Sequence, residues 1–177
     1  NPMPEDYEPD LVYSSEFGGY LDRSCKAALD LMLYDARKEG YDPLVISGYR
    51  SWELQQLSHD NMVQKYINGG YSPEEALELA SQIVAVPGTS EHQLGLAFDL
   101  VDKSYQNLDE AQEATPVQQW LMVNSWRYGF ILRYPNSKSE STGIIYEPWH
   151  YRYVGKEAAN EIYESGLTFE EYLLNRN

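Results

Sequence analysis

The chain has little with which to cross-link itself, span a membrane or bind a polyanion. Cys25 is its only cysteine, so no internal disulfide can form. Cys25 falls in a helical apolar pattern, the setting of a buried structural thiol rather than of a nucleophile. No apolar run approaches the roughly 18 residues of a membrane span, and no signal-peptide pattern stands at the start. Basic residues are scarce, 13 Lys and Arg against 28 Asp and Glu, giving a net charge of −15. With no basic cluster to neutralise phosphates, nucleic acid is excluded as a partner, and so is docking on an anionic membrane surface. A neutral or cationic substrate is compatible with this charge. Histidine is scarcer still, at three residues.

What is present is ordinary for a soluble globule, with 42% hydrophobic and 23% charged residues. A length of 177 residues fits one domain with a real core. Residues 1–20 read as an irregular, proline-bearing segment that ends near Gly18-Gly19. Its polar start at Asn1 suits a mature or truncated ectodomain. Cys25, Ala28, Leu29, Met32, Leu33 and Ala36 recur at helical spacing and predict a helix over 22–39, capped by Asp22 or Ser24 and closed by Gly40. Pro43 to Ser47 reads as a short buried strand. A helix follows from near Ser51 to about Ile67. Three capping-box patterns mark further helix starts: Ser72-Pro73-Glu74-Glu75, running to about Val84; Thr115-Pro116-Val117-Gln118, stopping at Gly129; and Thr168-Phe169-Glu170-Glu171. Strands are predicted at 130–134, 143–147 and 151–154, with a polar turn over 136–142 and a helix over 156–164. Helices and strands do not alternate regularly. The expected architecture is therefore an α+β domain with a central antiparallel sheet flanked by helices.

The chemistry concentrates in two short segments. Ser90 to Asp99 (SEHQLGLAFD) carries His92 and Asp99, and Glu147-Pro148-Trp149-His150 answers it some fifty residues later. Two histidines, one aspartate and a spare glutamate are the makings of a hydrolytic zinc site, because three N/O ligands leave a fourth position open for water. If 92–99 were a plain strand, seven steps at ~3.3 Å would span roughly 23 Å. Ligands of one zinc lie only ~2 Å from it. The chain must therefore turn between them, with Gly95 as the bend. Beyond it, Gly95, Ala97 and Asp99 share one strand face, while Leu94, Leu96, Phe98 and Leu100 share the core face. Pro148 biases Glu147 away from helical geometry, which predicts Glu147 at a strand end and His150 after a tight turn. His59, in a charged helical stretch, reads as solvated.

These segments, with Ser47-Gly48-Tyr49-Arg50-Ser51 upstream, resemble the zinc D-Ala-D-Ala carboxypeptidases of the VanY and LdcB type, which share an S-x-H-x-x-G-x-A-x-D segment, an E-x-W-H segment and an S-G-Y-R-S. The continuation Tyr151-Arg152-Tyr153-Val154-Gly155 is similar too, and the motifs stand in the same order, spread over about two-thirds of the chain. The resemblance implies one zinc ion held by His92, Asp99 and His150, with Glu147 as general base. It implies that Arg50 polarises the scissile carbonyl and that Ser90, and less directly Gln55, meet the substrate's terminal carboxylate. Ser90 also suits a backbone-capping hydroxyl, and Gln55 a solvated helix face. Trp149 either packs to hold the Glu147–His150 turn or lines the pocket against substrate. Arg152 and Tyr153 are placed to brace the site, but read more readily as ordinary structural residues.

The implied fold is that of D-Ala-D-Ala carboxypeptidase/hedgehog-like zinc peptidases. The implied activity is removal of a C-terminal D-alanine from peptidoglycan stem peptides, by DD- or LD-cleavage. Two alternatives stand beside it: a peptidoglycan endopeptidase of the same superfamily, and a non-catalytic zinc module that binds wall peptides. Loops near 102–114 or 136–142 are expected to set specificity. The expected protein is a monomer acting outside the cytoplasm, with no membrane contact of its own, carried by a leader or anchor beyond this chain.

Overall fold

A computed structural model describes residues 2–4 and 7–176. Asn1, Glu5 and Asp6 of the predicted irregular segment lie outside the described residues. The rest of that segment is more ordered than expected. Leu11–Ser14 (β1) and Gly19–Asp22 (β2) form an antiparallel hairpin, with Tyr13 opposite Tyr20. Their rings meet edge to face at 5.5 Å. The β-branched and aromatic residues that make these strands are easily hidden by flanking prolines and glycines in so short a run.

Helix α1 (Arg23–Lys38) begins at Asp22, whose side chain accepts from the Ser24 N–H, and buries Cys25, Leu29, Met32, Leu33 and Ala36 on one stripe. Strand β3 (Pro43–Ser47) leads to α2 (Trp52–Asn68), capped by Ser51, and α3 (Pro73–Ser81), which has a full capping box at Ser72 and Glu75. The last ends three residues before the expected Val84. Strand β4 (Ala97–Asp102) precedes α4 (Pro116–Asn124), after which a 3₁₀ turn, Ser125–Tyr128, carries the chain to Gly129. Strand β5 (Phe130–Tyr134), the short α5 (Ser139–Thr142), β6 (Glu147–Tyr153), α6 (Lys156–Ser165) and α7 (Phe169–Asn175) complete the chain. No strand forms over 143–147. Instead one continuous strand begins at Glu147 and absorbs the segment predicted at 151–154.

The main sheet is antiparallel throughout, in the order β3-β4-β6-β5. One face packs Val45, Phe98, Leu100, Phe130 and Tyr151 against α1 and α4. Alternation sends Asp99, His150 and Arg133 the other way. A smaller cluster of Ile131, Ala159, Ile162 and Tyr172 fixes α6 and α7 on that second side.

Candidate metal centre

Asp99 and His150 are direct cross-strand partners on β4 and β6. Opposed side chains on neighbouring strands stand ~4.5–5.5 Å apart at Cβ, so both reach one point in space. His92 arrives separately, on a 3₁₀ turn over Glu91–Leu94 that Gly95 ends in the left-handed conformation at φ 70. This is the predicted bend. The Gly95 carbonyl accepts from the Asp22 N–H at 2.9 Å, which ties the turn to the hairpin.

The three donor groups converge. His92 Nε2 lies 3.4 Å from Asp99 Oδ2, and His150 Nδ1 lies 3.1 Å from Asp99 Oδ1. One ligand atom from each residue falls within 4.8 Å of the others. Donors ~2.0–2.1 Å from a tetrahedral zinc stand roughly 3.3 Å apart, so the residues fit such an ion. The far nitrogen of His92 is already engaged, Nδ1 lying 2.8 Å from the Gly48 carbonyl. With its proton on Nδ1, that ring offers Nε2 to a metal. Buried Asp99 stays ionised. Burial alone would raise its pKa, but the neighbouring His92 and His150 hold it well below the usual carboxylate range.

Two irregularities in the sheet aim the remaining groups. In β3 one extra residue, Ile46, intervenes where Val45 pairs with Leu100 and Ser47 with Asp99. Regular alternation would turn Ser47 to the core with Val45. The bulge turns it to the Asp99 side. There its Oγ accepts from Arg50 Nη2 at 3.0 Å, while Arg50 Nη1 donates to Gln55 Oε1 at 3.0 Å. The guanidinium is thereby held 3.9 Å from Asp99 Oδ2. In β6 the register shifts between Tyr151 opposite Leu132 and Glu147 opposite Tyr134. Residues three apart on a plain strand face opposite ways. This shift lets Glu147 Oε2 come within 3.6 Å of His150 Nδ1. The expected tight turn before His150 is thus a distortion within a strand, and Pro148, which has no N–H to give a ladder, occupies it.

Every predicted site residue lines one cavity of about 350 Å³, including Ser90, Gln55 and Trp149. Gln55 is not on a solvated face. It is buried, with its amide nitrogen 2.6 Å from the Ala85 carbonyl. Ser90 makes no side-chain cap, so its hydroxyl is not spent on the turn it precedes. His59 departs from expectation: it is buried between α2 and α3, with Nε2 3.2 Å from Ser81 Oγ. Cys25 is a fully buried thiol whose pKa is pushed up to about 12, chiefly by desolvation. Burial also raises Glu147 to about 8. Burial would lower the pKa of His150, but the facing carboxylates of Asp99, Glu91 and Glu147 lift it to about 9. A buried carboxyl with a raised pKa beside convergent metal donors fits a general base at a metal site.

Residues 18–156 match the family model described as VanY, D-alanyl-D-alanine carboxypeptidase. The chain belongs to the VanY D-alanyl-D-alanine carboxypeptidase family. It is 47% identical over 174 residues to a D-alanyl-D-alanine carboxypeptidase of Enterococcus faecalis, covering 98% of this chain and 62% of that one. The chain therefore spans about three-fifths of that relative's length. A solved structure of a vancomycin-resistance D,D-pentapeptidase VanY variant in complex with Zn(II) superposes with TM-score 0.87 at 46% identity, covering 98% of this chain and 94% of the other. The LD-carboxypeptidase LdcB superposes with TM-score 0.85 at 40% identity, covering 98% and 81%. The antiparallel sheet flanked by helices is the fold of these zinc peptidases.

Beyond its signature motifs, this family member carries a second layer that sequence reading did not find. Glu91, between Ser90 and His92, receives Arg133 Nε at 2.8 Å and Arg152 Nη1 at 3.1 Å. Arg133 in turn forms a two-pronged pair with Glu170 of α7. Arg152 reaches the site's edge through this contact with Glu91. Nothing local in the sequence marks Arg133, because its partners lie on other elements.

Proposed function

We propose that this chain is a zinc-dependent carboxypeptidase that removes C-terminal D-alanine from peptidoglycan stem peptides. The observation that carries the reading is one cavity lined by the His92, Asp99 and His150 donors together with Glu147 and Arg50. Zinc in that donor set supplies Lewis acidity, polarising the scissile carbonyl and lowering the pKa of water toward about 7. Glu147 takes the proton of the attacking water and passes it to the leaving amine. A divalent cation held by His92, Asp99 and His150 would favour the ionised form of Glu147, offsetting the burial that raises its pKa. Arg50, fixed by Ser47 and Gln55, meets the negative charge that grows on the carbonyl oxygen. Ser90, buried but uncommitted as a cap, offers its hydroxyl to the terminal carboxylate, and Trp149 supplies an apolar wall.

Room for a peptide supports exo-cleavage of a larger substrate over action on a free dipeptide. A second cavity of about 540 Å³ shares the Ser90, Glu91, Tyr134 and Ile144 walls with the first. Leu108 and Ile145 border the site cavity, which supports a specificity role for the segments that carry them. We place the enzyme outside the cytoplasm, where wall peptides are, acting as a monomer without membrane contact by this region. Among the described residues no helix is long and apolar enough to cross a membrane.

The test is mass spectrometry of defined tetrapeptide and pentapeptide stems treated with zinc-loaded protein. Loss of one alanine from either supports the reading and assigns LD or DD preference. Release of a longer peptide would make the chain an endopeptidase, and no cleavage together with tight peptide binding would make it a binding module.

A further inference from the structure

We propose that Glu91 is the positioning residue for His150: its carboxylate accepts a hydrogen bond from the Nε2–H of that ring and so presents Nδ1 to the metal. This rests on the reading that His92, Asp99 and His150 hold zinc. Among the described residues, three buried side-chain atoms lack a hydrogen-bond partner, and two of them are His150 Nε2 and Glu91 Oε2. They face each other at 3.8 Å. One is a ring nitrogen able to donate and the other is a carboxylate oxygen able only to accept, so a small approach satisfies both. The other ring nitrogen of His150 already points at Asp99 and Glu147.

The opposite end of Glu91 is fully committed. Oε1 takes both Arg133 and Arg152, which holds the carboxylate ionised and leaves Oε2 for the imidazole. Arg133 is then gripped by Glu170, and both guanidinium groups lie over the Phe169 ring, at 5.4 Å and 5.7 Å from its centre. Phe169 and Glu170 form the first turn of α7, whose start is fixed by the Thr168–Glu171 capping box. The two histidines are therefore oriented by different devices. His92 leans on a backbone carbonyl that substitution leaves in place. His150 leans on a side-chain relay that ends in the last helix.

Two measurements test this. In the zinc-loaded protein, long-range proton–nitrogen NMR of the histidines should show His150 protonated at Nε2, with a slowly exchanging proton, and His92 protonated at Nδ1. Protonation of His150 at Nδ1 would overturn the proposal in the unaltered chain, whatever any variant does. Glu91→Gln should weaken Zn(II) binding ~10–100-fold, measured by competition with a chromophoric chelator. Its visible spectrum when loaded with Co(II) should also change in shape, a response that a purely structural ion pair would not produce. Unchanged affinity and spectrum in Glu91→Gln would overturn the proposal while leaving the zinc reading intact. Failure of the unaltered protein to take up zinc would overturn both, and that result is read without any variant.

Discussion

Glu147 and Arg50 show how a residue's worth depends on what fixes it. A glutamate on a solvated strand end titrates near 4.5, but burial beside Asp99 lifts this one to about 8. If it is the proton carrier, Glu147→Gln keeps its volume and removes its function. We expect kcat to fall ~10²–10⁴-fold with Zn(II) affinity within a few-fold of the parent, checked by stem-peptide turnover and chelator competition. Retained turnover would sink the assignment. Arg50 is held by a fork to Ser47 and Gln55, a geometry that a lysine ammonium cannot reproduce. Arg50→Lys is expected to cost roughly 10²–10³ in kcat, with a smaller change in KM. A change confined to KM would instead place Arg50 in ground-state binding.

At the scale of elements, the site is made by departures from regular structure. The bulge at Ile46 and the shifted register of β6 re-aim Ser47 and Glu147, and the left-handed Gly95 swings His92 back over Asp99. Gly95 has no spare room, since a Cβ there would meet the Asp22 backbone nitrogen at 2.7 Å. Gly95→Ala should therefore cost at least about 1–2 kcal/mol from the left-handed conformation alone. It should also weaken metal binding, because the turn carrying His92 must shift. Urea unfolding of the metal-free protein measures the first effect and chelator competition the second; a variant neutral in both would refute this account of the turn.

At the scale of the whole molecule, the sheet divides hydrophobic stability from ionisable chemistry. The α1 and α4 side holds the main apolar core, and the opposite face gathers Asp99, Glu147, His150, Glu91, Arg133 and Arg152. That concentration makes metal-free stability depend on pH. Glu147, raised from 4.5 to about 8, contributes stability that is full below pH 4.5 and is lost as the pH rises through about 8. His150, raised from 6.5 to about 9, acts in the same sense, full below pH 6.5 and lost through about 9. Asp99 and Glu91, held low, act oppositely, and their contribution is lost only in acid. The metal-free thermal midpoint should therefore fall between pH 6.5 and 9. Zinc should reverse or flatten that slope, because its ligands must be deprotonated to bind. At 100–1,000 times its Kd, zinc should also add ~2.7–4.1 kcal/mol. Scanning calorimetry across this range with chelator and with zinc checks both. A metal-free midpoint that rose with pH would contradict the burial of Glu147 and His150.

Much of this protein is decided by local rules. Capping residues such as Ser51, Ser72, Thr115 and Thr168 announce helices wherever they stand, because they satisfy backbone donors within a few residues of themselves. The apolar stripe of α1 is equally local. His92, Asp99, His150 and Glu147 stood out because metal chemistry needs those residue types in compact motifs, whereas Arg50 was marked only by the family resemblance; the structure brings all five to one cavity. What the sequence could not decide were the relations between segments: the hairpin before α1, the burial of His59 and Gln55, the strand that runs through His150, and the relay from Glu170 through Arg133 to Glu91. Each depends on which strand edge or helix face lies opposite. Register and burial arise from packing the whole chain at once, and no window of sequence contains them.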